Sequence, residues 1–392
     1  MNYILFDGPV RNALLPLTFT RPVADIRIGI LTIREKWEKH LGSTTSTLTE
    51  EYLSDKYPMV ELEENVMINA SFLPSLDLVE LILDLKPNQA IFYEEDVIAF
   101  YTTEDQEEVD FDQYECLEYE NTEALFIENT WDIFSKNDKA IAQDFELLTE
   151  DRTSAPIPET VNCINPENIF IEEGVDINFV NLNASAGPIY LGKDSVVLEG
   201  SNIRGPFALG EGALVKMGAK IYGPTTIGPH CKAGGEINNA VMFEHSNKGH
   251  EGFLGNSVLG EWCNIGADSN TSNLKNNYDE VKLWSYETER FARTGLQFCG
   301  LVMGDHSKLG INTMINTGTV IGVSCNVFGP GFPRNFIPSF SWGGSAGFSN
   351  YMPKKAFETA TRVMARRDIE FDEIESAILE HVFEETKKYR RW

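Results

Sequence analysis

An aliphatic residue returns at every sixth position between Leu191 and Ile227. This period fits neither a helix, which repeats its apolar face every 3.6 residues, nor a half-buried strand, which alternates every two. It fits a triangular parallel coil, in which each flat face takes about six residues and points one side chain inward. The inward positions are Leu191, Val197, Ile203, Leu209, Val215, Ile221 and Ile227, then Leu259, Ile265 and Thr271, then Met303, Leu309, Ile315, Ile321 and Val327. We therefore expect a hexapeptide-repeat β-helix over residues 165–345.

The chain before the repeat has a different pattern. A short apolar run at 3–6 predicts a buried strand, 24–41 and 76–85 have helical periodicity, and 90–101 resembles a hairpin. Strands that alternate with helices are typical of an α/β layer. A linker rich in Pro and polar residues follows at 149–159. The pattern predicts an α/β domain over residues 1–160.

Two segments interrupt the six-residue register, 236–256 and 273–300. Loops this long in a compact repeat are usually functional. An aromatic stretch at 328–344 ends the repeat, and the residues that follow have helical spacing, with Pro353 suited to a first helical turn. We expect a C-terminal helical extension over 350–392.

Composition excludes several classes of protein. The 392 residues include no apolar run of membrane-spanning length, and the first residues lack the form of a signal peptide. The six cysteines contain no CxxC pair, so neither a disulfide framework nor a zinc knuckle is indicated. We expect a cytoplasmic protein without a membrane partner.

The net charge of −28 argues against nucleic acid as a partner. The charge is uneven, because 94–128 holds fourteen acidic residues and no Lys or Arg, whereas basic residues gather after Lys354. We interpret the acidic stretch as a solvated face. Cations that bind a phosphorylated ligand must then be placed locally.

The stretch GHEGFLGNSVLGEWCNIGADSNTSNL, 249–274, resembles the acetyltransferase half of the bifunctional GlmU family, which acetylates glucosamine 1-phosphate and then transfers a uridylyl group. His250 matches the general base of the family, and Ala267 the residue whose backbone N–H faces the thioester oxygen. Asn264 and Asn273 match substrate-binding asparagines, and Phe253 stands where the family has Tyr. Lys282 matches a lysine of archaeal members that helps to bind the amino sugar.

This resemblance implies a left-handed β-helix, acetyl-CoA as the acyl donor, an amino-sugar 1-phosphate as the acceptor, and a homotrimer with active sites between neighbouring coils. The chemistry suits the residues. Transfer to an amine needs a base, and a histidine has an unperturbed pKa near 6.5. A backbone N–H at Ala267 would stabilise the tetrahedral oxyanion.

Residues 11–22, RNALLPLTFTRP, resemble the opening of sugar nucleotidyltransferases, in which a Gly-rich turn cradles the triphosphate. Gly8, Arg11 and Arg21 are the implied nucleotide-binding residues, and Val23 replaces the family lysine. The expected Gly-Asp pair that holds Mg²⁺ is replaced at 68–74, where Asn69 and Ser71 are available. The resemblance implies a compact nucleotidyltransferase-like domain of a divergent, Bacteroidetes-type group, with a nucleotide or sugar nucleotide as ligand and Mg²⁺ as a possible cofactor.

Two other interpretations stay open at this point. A non-catalytic trimeric regulator or scaffold that binds a sugar nucleotide would explain Phe253 and the missing lysine. A hexapeptide-type metal enzyme, similar to the carbonic anhydrases with this fold, would use histidines spaced like His245 and His250. The enzyme interpretation accounts for more of the motif.

Overall fold

The computed structural model describes residues 1–103 and 109–392. The chain divides into two compact units. The first comprises Met1–Leu14, Thr20–Ile26 and Leu31–Asn129, and the second Leu15–Phe19, Arg27–Ile30 and Thr130–Trp392. Part of the acidic stretch, 104–108, lies outside the described residues. The predicted boundaries 1–160, 165–345 and 350–392 stay predictions.

A mixed six-stranded sheet forms the first unit, in the order β2-β1-β3-β5-β4-β6. Strands β2, β1 and β3 run parallel, and β5 is antiparallel to both β3 and β4, so that β4 and β5 form the predicted hairpin. The strands are β1 (Asn2–Phe6), β2 (Ser46–Leu48), β3 (Glu64–Asn69), β4 (Gln89–Tyr93), β5 (Asp96–Thr103) and β6 (Glu115–Glu118). The α/β fold of this unit is confirmed.

Two helices accompany this sheet, α1 (Ile33–Leu41) and α2 (Leu76–Leu83). Helix α1 begins later than the predicted 24, because Thr32 caps it: the Thr32 side chain accepts from the Glu35 N–H and the Glu35 carboxylate accepts from the Thr32 N–H. The residues before it form a single 3₁₀ turn, Val23–Asp25. Inside the unit, the indole N–H of Trp37 donates to the carbonyl of Phe72 at 3.0 Å.

The second unit is a parallel β-helix. Leu191 pairs with Leu209 and Leu209 with Ile227, so three six-residue faces complete one coil. All seven hexad residues from Leu191 to Ile227 are at most 2% exposed and belong to one continuous apolar core. The hexapeptide-repeat prediction is confirmed, while the left hand stays a prediction from the resemblance.

Three faces make up each coil. The first carries β7 (Asn162–Ile164), β10 (Asn181–Asn183), β13 (Asn202–Arg204) and β16 (Lys220–Tyr222), and a separate pair is β23 (Asn270–Thr271) with β28 (Met314–Ile315). The second carries β8 (Ile169–Ile171), β11 (Ile189–Leu191), β14 (Phe207–Leu209), β17 (Thr225–Ile227), β26 (Leu301–Met303), β29 (Thr319–Ile321) and β31 (Phe336–Ile337). The third carries β9 (Asp176–Ile177), β12 (Val196–Val197), β15 (Leu214–Val215), β18 (Lys232–Ala233), β20 (Asn247–Lys248), β22 (Asn264–Ile265), β27 (Lys308–Leu309), β30 (Asn326–Val327) and β32 (Ser341–Gly344).

The predicted interruptions have two structural forms. Strands β19 (Glu236–Met242) and β21 (Phe253–Leu259) are seven residues long and β19 pairs with both β16 and β17, so it runs through a corner that other coils turn sharply. The excursion at 273–300 forms an antiparallel hairpin of β24 (Lys282–Ser285) and β25 (Arg290–Arg293). A final strand, β33 (Gly347–Asn350), pairs antiparallel with β32.

Four helices belong to the second unit: α3 (Asp132–Ser135), α4 (Asn137–Thr149), α5 (Pro353–Met364) and α6 (Glu373–Glu385). Asn137 ties α4 to the coil, since its amide nitrogen donates to Thr226 Oγ1 at 3.1 Å. The C-terminal extension is helical as expected. In the part of the chain that the structure describes, no helix is long and apolar enough to cross a membrane.

Candidate functional site

A cavity of about 660 Å³ lies against the third face of the β-helix, and three predicted site residues line it together: His250, Asn264 and Ala267. His250 follows β20 and is exposed. Asn264 opens β22 in register with Asn247 and Lys308 of the neighbouring coils. The corner after β22 brings Ala267 to the same wall, and its carbonyl accepts from the Asn312 N–H at 2.8 Å.

Cations concentrate at this cavity although the chain is strongly acidic. Lys216 and Lys232 come from the coil, and Arg366 and Arg367 from the 3₁₀ turn Ala365–Arg367 that follows α5. Burial, and then the positive charges of Arg367, Lys216 and Arg366, lower the pKa of Lys232. These side chains therefore share one positive field, which suits a ligand with several phosphates.

A further lysine, Lys308, lines the cavity beside Asn264. Its ammonium donates to the carbonyls of His306, at 3.1 Å, and Trp262. Burial lowers the pKa of Lys308 to about 8, while the nearby Cys263 and Asp305 oppose that shift. The lysine is thus tied to the main chain of the cavity wall.

Four rings form a stacked column along one corner of the coil: His230, His245, Trp262 and His306. The His245 and Trp262 centroids are 4.1 Å apart with planes 8° apart, and His230 lies 5.2 Å from His245. Each of the four residues has a φ between +57° and +60°. Successive coils therefore place a ring at the same left-handed corner, and His245 and Trp262 face the cavity.

The hexad pattern does not predict this column, because the rings lie outside the inward register. A sequence signal does exist, since each ring directly precedes a Cys or Ser: His230-Cys231, His245-Ser246, Trp262-Cys263 and His306-Ser307. The sequence has no comparable signal for the cations of the cavity. Two of them, Arg366 and Arg367, lie more than 100 residues from His250 along the chain.

Phe253 and Asn273 do not line this cavity but meet each other over Gly255. A Cβ at Gly255 would lie 2.5 Å from the Phe253 ring and 2.7 Å from Asn273 Nδ2, so the position excludes a side chain. Asn273 Nδ2 also donates to Asn256 Oδ1 at 2.8 Å. These two predicted substrate residues thus form a separate group within one chain.

Lys282 is exposed at the start of β24, opposite Arg293 of β25. It lines neither the cavity nor the Phe253 group. The predicted substrate-binding set is therefore divided among three places on the described chain.

In the first unit, a cavity of about 380 Å³ opens beyond the end of β1, and its lining includes Gly8 and Arg11, two of the residues predicted to bind a nucleotide. Arg11 is buried; its guanidinium donates to the Tyr52 hydroxyl at 2.8 Å and lies 3.2 Å from the carboxylate of Asp7. Glu50 is 3.6 Å from the same guanidinium. Acidic side chains thus outnumber Arg11 around this cavity.

Asp7 holds the loop of this cavity together. It accepts from the Val23 N–H at 2.7 Å and from the Thr49 hydroxyl at 2.6 Å. Burial raises its pKa, although these hydrogen bonds and the Arg11 charge oppose the shift. Val23 itself is fully buried, and Arg21 is buried away from the cavity lining.

The residues at the expected Mg²⁺ position do not fit that ion. Asn69 is 3% exposed, and its amide oxygen already accepts from the Ser71 N–H and hydroxyl at 3.0 and 2.9 Å. Gly8, with φ +62°, packs directly against Asn69, since a Cβ at Gly8 would lie only 3.0 Å from Asn69 Oδ1. Mg²⁺ in nucleotide sites is usually held by one or two carboxylates, which Asn69 and Ser71 do not provide.

The metal-enzyme alternative gains no support from the histidine geometry. His230 and His245 are stacked face to face, so their ring nitrogens lie in parallel planes instead of converging on one point. Among residues 1–103 and 109–392, no group of three His, Cys, Asp or Glu side chains is arranged to hold a metal ion.

Comparison with known proteins gives a family match in the first part of the chain. Residues 3–153 match the sugar nucleotidyl transferase family. The bifunctional protein GlmU of Methanocaldococcus jannaschii is 28% identical over 90 residues, which cover 23% of this chain and 21% of that protein. The bifunctional sugar-1-phosphate nucleotidylyltransferase/acetyltransferase of Sulfurisphaera tokodaii is 31% identical over 93 residues, or 24% of this chain and 23% of that protein.

The chain thus spans about a fifth of the length of the curated relatives it matches. A solved UDP-N-acetylglucosamine acyltransferase from Campylobacter jejuni aligns with 60% of this chain and 83% of its own, at 16% identity and a TM-score of 0.24. The Bacteroidetes-type subgroup stays a prediction. The family match over residues 3–153 and the partial bifunctional relatives support the predicted resemblance to GlmU-type proteins.

Proposed function

We propose that this protein is an acetyl-CoA-dependent N-acetyltransferase that acts on an amino-sugar 1-phosphate in nucleotide-sugar biosynthesis. The observation that carries the proposal is the cavity that brings together His250, Asn264 and Ala267 beside a cluster of cations. A base, a polar substrate ligand and a backbone donor near one another are what acyl transfer to an amine requires.

In the proposed reaction, the amine nitrogen of the sugar attacks the carbonyl carbon of the acetyl thioester, and His250 takes the proton that the amine loses. The Ala267 N–H stabilises the oxyanion, an effect worth about 3 kcal/mol per donor. When the intermediate collapses, the carbon–sulfur bond breaks and the departing thiolate takes the proton from His250. The products are the N-acetyl sugar phosphate and free coenzyme A.

Lys216, Lys232, Arg366 and Arg367 bind the phosphates of coenzyme A in this proposal. Each charge-assisted hydrogen bond to a phosphate is about twice as strong as a neutral one. Such local placement answers the question raised by the net charge of −28, because an anionic ligand needs a positive cavity on an otherwise repulsive surface.

Incubation with acetyl-CoA and glucosamine 1-phosphate or galactosamine 1-phosphate, followed by mass spectrometry of the sugar and a thiol assay, tests the activity. We expect His250→Ala to lower kcat by about 100-fold or more, because a positioned base contributes about 10²–10⁴-fold. His381→Ala, which removes an exposed histidine from α6, is the matched control. Full turnover by His250→Ala would show that another group is the base, and no acetylation of either sugar would favour the regulator.

We also propose that the first unit binds a nucleotide or sugar nucleotide through Gly8 and Arg11 but transfers nucleotidyl groups slowly. Asp7 and Glu50 already neutralise much of the Arg11 charge, and Val23 offers no second cation. Pyrophosphate release from UTP or dTTP with hexose 1-phosphates is expected below about 10 s⁻¹, the median for enzymes. A faster rate would mean that other residues carry the transition-state charge, and nucleotide binding that survives Arg11→Ala would place the site elsewhere.

A further inference from the structure

One lysine of the second unit occupies an inward position of the coil that apolar side chains fill in the adjacent coils. Lys248 is the inward residue of β20, and its register partner in the preceding coil is Ala233. In the next coil, Asn264 pairs with Asn247, and Ile265 follows it at the inward position. The same column continues through Val215 and Leu309. Lys248 is completely buried inside the coil.

The ammonium of Lys248 joins two coils at the corner from which His250 emerges. Its Nζ donates to the carbonyl of Gly234 at 3.2 Å and to the carbonyl of His250. The two corners are also in close contact, since a Cβ at Gly235, with φ +74°, would lie 2.6 Å from the His250 carbonyl oxygen. The main chain of His250 is therefore anchored from inside the β-helix.

Stability does not explain a lysine at this position. Burial lowers its pKa to about 8, against the opposing effects of Glu251 and Asp268 and with a smaller lowering by Lys220. An apolar side chain of similar volume in such a position is often as stabilising or more so. The neighbouring coils use such side chains at the same place.

We propose that Lys248 is a positioning residue for His250: its ammonium fixes the His250 main chain, and so holds the imidazole over the cavity beside Asn264 and Ala267. This inference rests on the proposed role of His250 as the base. It adds a residue that acts through the main chain and contacts no substrate.

The test compares Lys248→Met with wild type and with Leu309→Met, a conservative change in the same column that removes no hydrogen bond. Lys248→Met is expected to keep or raise the melting temperature, lower kcat by about tenfold or more, and leave the KM for acetyl-CoA nearly unchanged. The kcat and KM of Leu309→Met are expected to match wild type. NMR of ¹³C-histidine-labelled protein is expected to show a shifted or broadened His250 resonance in Lys248→Met alone.

An unchanged kcat and an unchanged His250 resonance in Lys248→Met would overturn the proposal. Lys248→Gln, which keeps an N–H donor, is expected to give intermediate values. If both variants unfold, Lys248 supports the coil itself and the positioning role is wrong. The histidine spectra need no substrate, so they decide the role of Lys248 even if wild type acetylates neither sugar, a result that would instead count against the proposed function.

Discussion

His245 lies in the middle of the ring column, where a positive charge is poorly tolerated. Its side chain is about 10% exposed and stacks between His230 and Trp262. Burial lowers its pKa to about 4, with smaller contributions from His230 and Arg367 against that of Glu261. His245 therefore stacks as a neutral imidazole, because its buried position disfavours the protonated form. The ring column is a structural wall of the cavity.

A folded-state pKa near 4 makes stability depend on pH. Because the pKa is about 6.5 in the unfolded chain, the unfolded state binds a proton first as the pH falls. The contribution of His245 to the free energy of unfolding is complete above about pH 6.5. It is lost as the pH falls toward 4, by up to about 3 kcal/mol per chain. His245→Phe keeps an aromatic ring at this positive φ, which Phe340 shows that phenylalanine can adopt. The melting temperature of this variant should fall less than that of wild type between pH 7 and pH 5. An equal fall in melting temperature with pH in wild type and His245→Phe would contradict the prediction. His381→Gln is the control.

At the residue scale, the motif sufficed for the part of the site that is continuous in sequence. His250, Asn264 and Ala267 lie within about one coil of each other along the chain, and the pairing of β20 with β22 brings them to one wall. Arg366 and Arg367 could not be predicted as site residues, since their position depends on how the C-terminal helices pack on the coil. Lys248 was hidden because it lies in 236–256, where the six-residue register is interrupted and the sequence assigns no inward position.

At the element scale, the C-terminal extension reaches the cavity through Val363 at the end of α5 and through the 3₁₀ turn Ala365–Arg367. Helix α5 buries Ala356, Ala360 and Met364, and the turn that follows presents Arg366 and Arg367. The guanidinium of Arg367 also donates to the His230 carbonyl at 2.8 Å, which fixes the turn to the ring column. The extension therefore supplies charge to the site in addition to packing.

Arg366→Ala is expected to weaken coenzyme A binding about tenfold, because it removes one charge-assisted contact to a phosphate. Binding of pantetheine, which lacks the phosphates, should not change. Arg362→Ala, which removes an exposed arginine paired with Glu358 on the same helix, is the control. Calorimetry with both ligands measures the difference, and an equal loss for pantetheine would mean that the turn acts on cavity shape and not on charge.

Elements were predicted best where burial alone fixes the period. The inward hexad residues from Leu191 to Ile227 are all apolar and fill the coil, so the sequence pattern and the structure coincide over this stretch. Helix α1 was predicted too long because buried residues such as Ala24 and Ile26 mimic helical spacing, whereas the capping box at Thr32 sets the true start. A cap is a hydrogen-bond pattern, and hydrophobic spacing does not contain it.

At the scale of the whole molecule, one chain does not assemble all the predicted acetyltransferase residues. Phe253, Asn273 and Lys282 lie outside the cavity that contains His250. Large apolar side chains also remain exposed on the coil, with Phe179, Met217 and Ile311 at 65–70%. Both observations favour an assembly in which a second copy covers these faces and completes the site.

We therefore predict a homotrimer with shared sites. Sedimentation should give a mass near three times the 44.0 kDa chain, and a monomer at micromolar concentration would contradict the prediction. Complementation is the sharper measurement. If His250 of one copy works with Asn273 of another, refolding inactive His250→Ala chains with inactive Asn273→Ala chains should restore about a quarter of wild-type acetyl transfer, because random assembly rebuilds that share of intact sites. A mixture that stays inactive would show that each site is built within one chain.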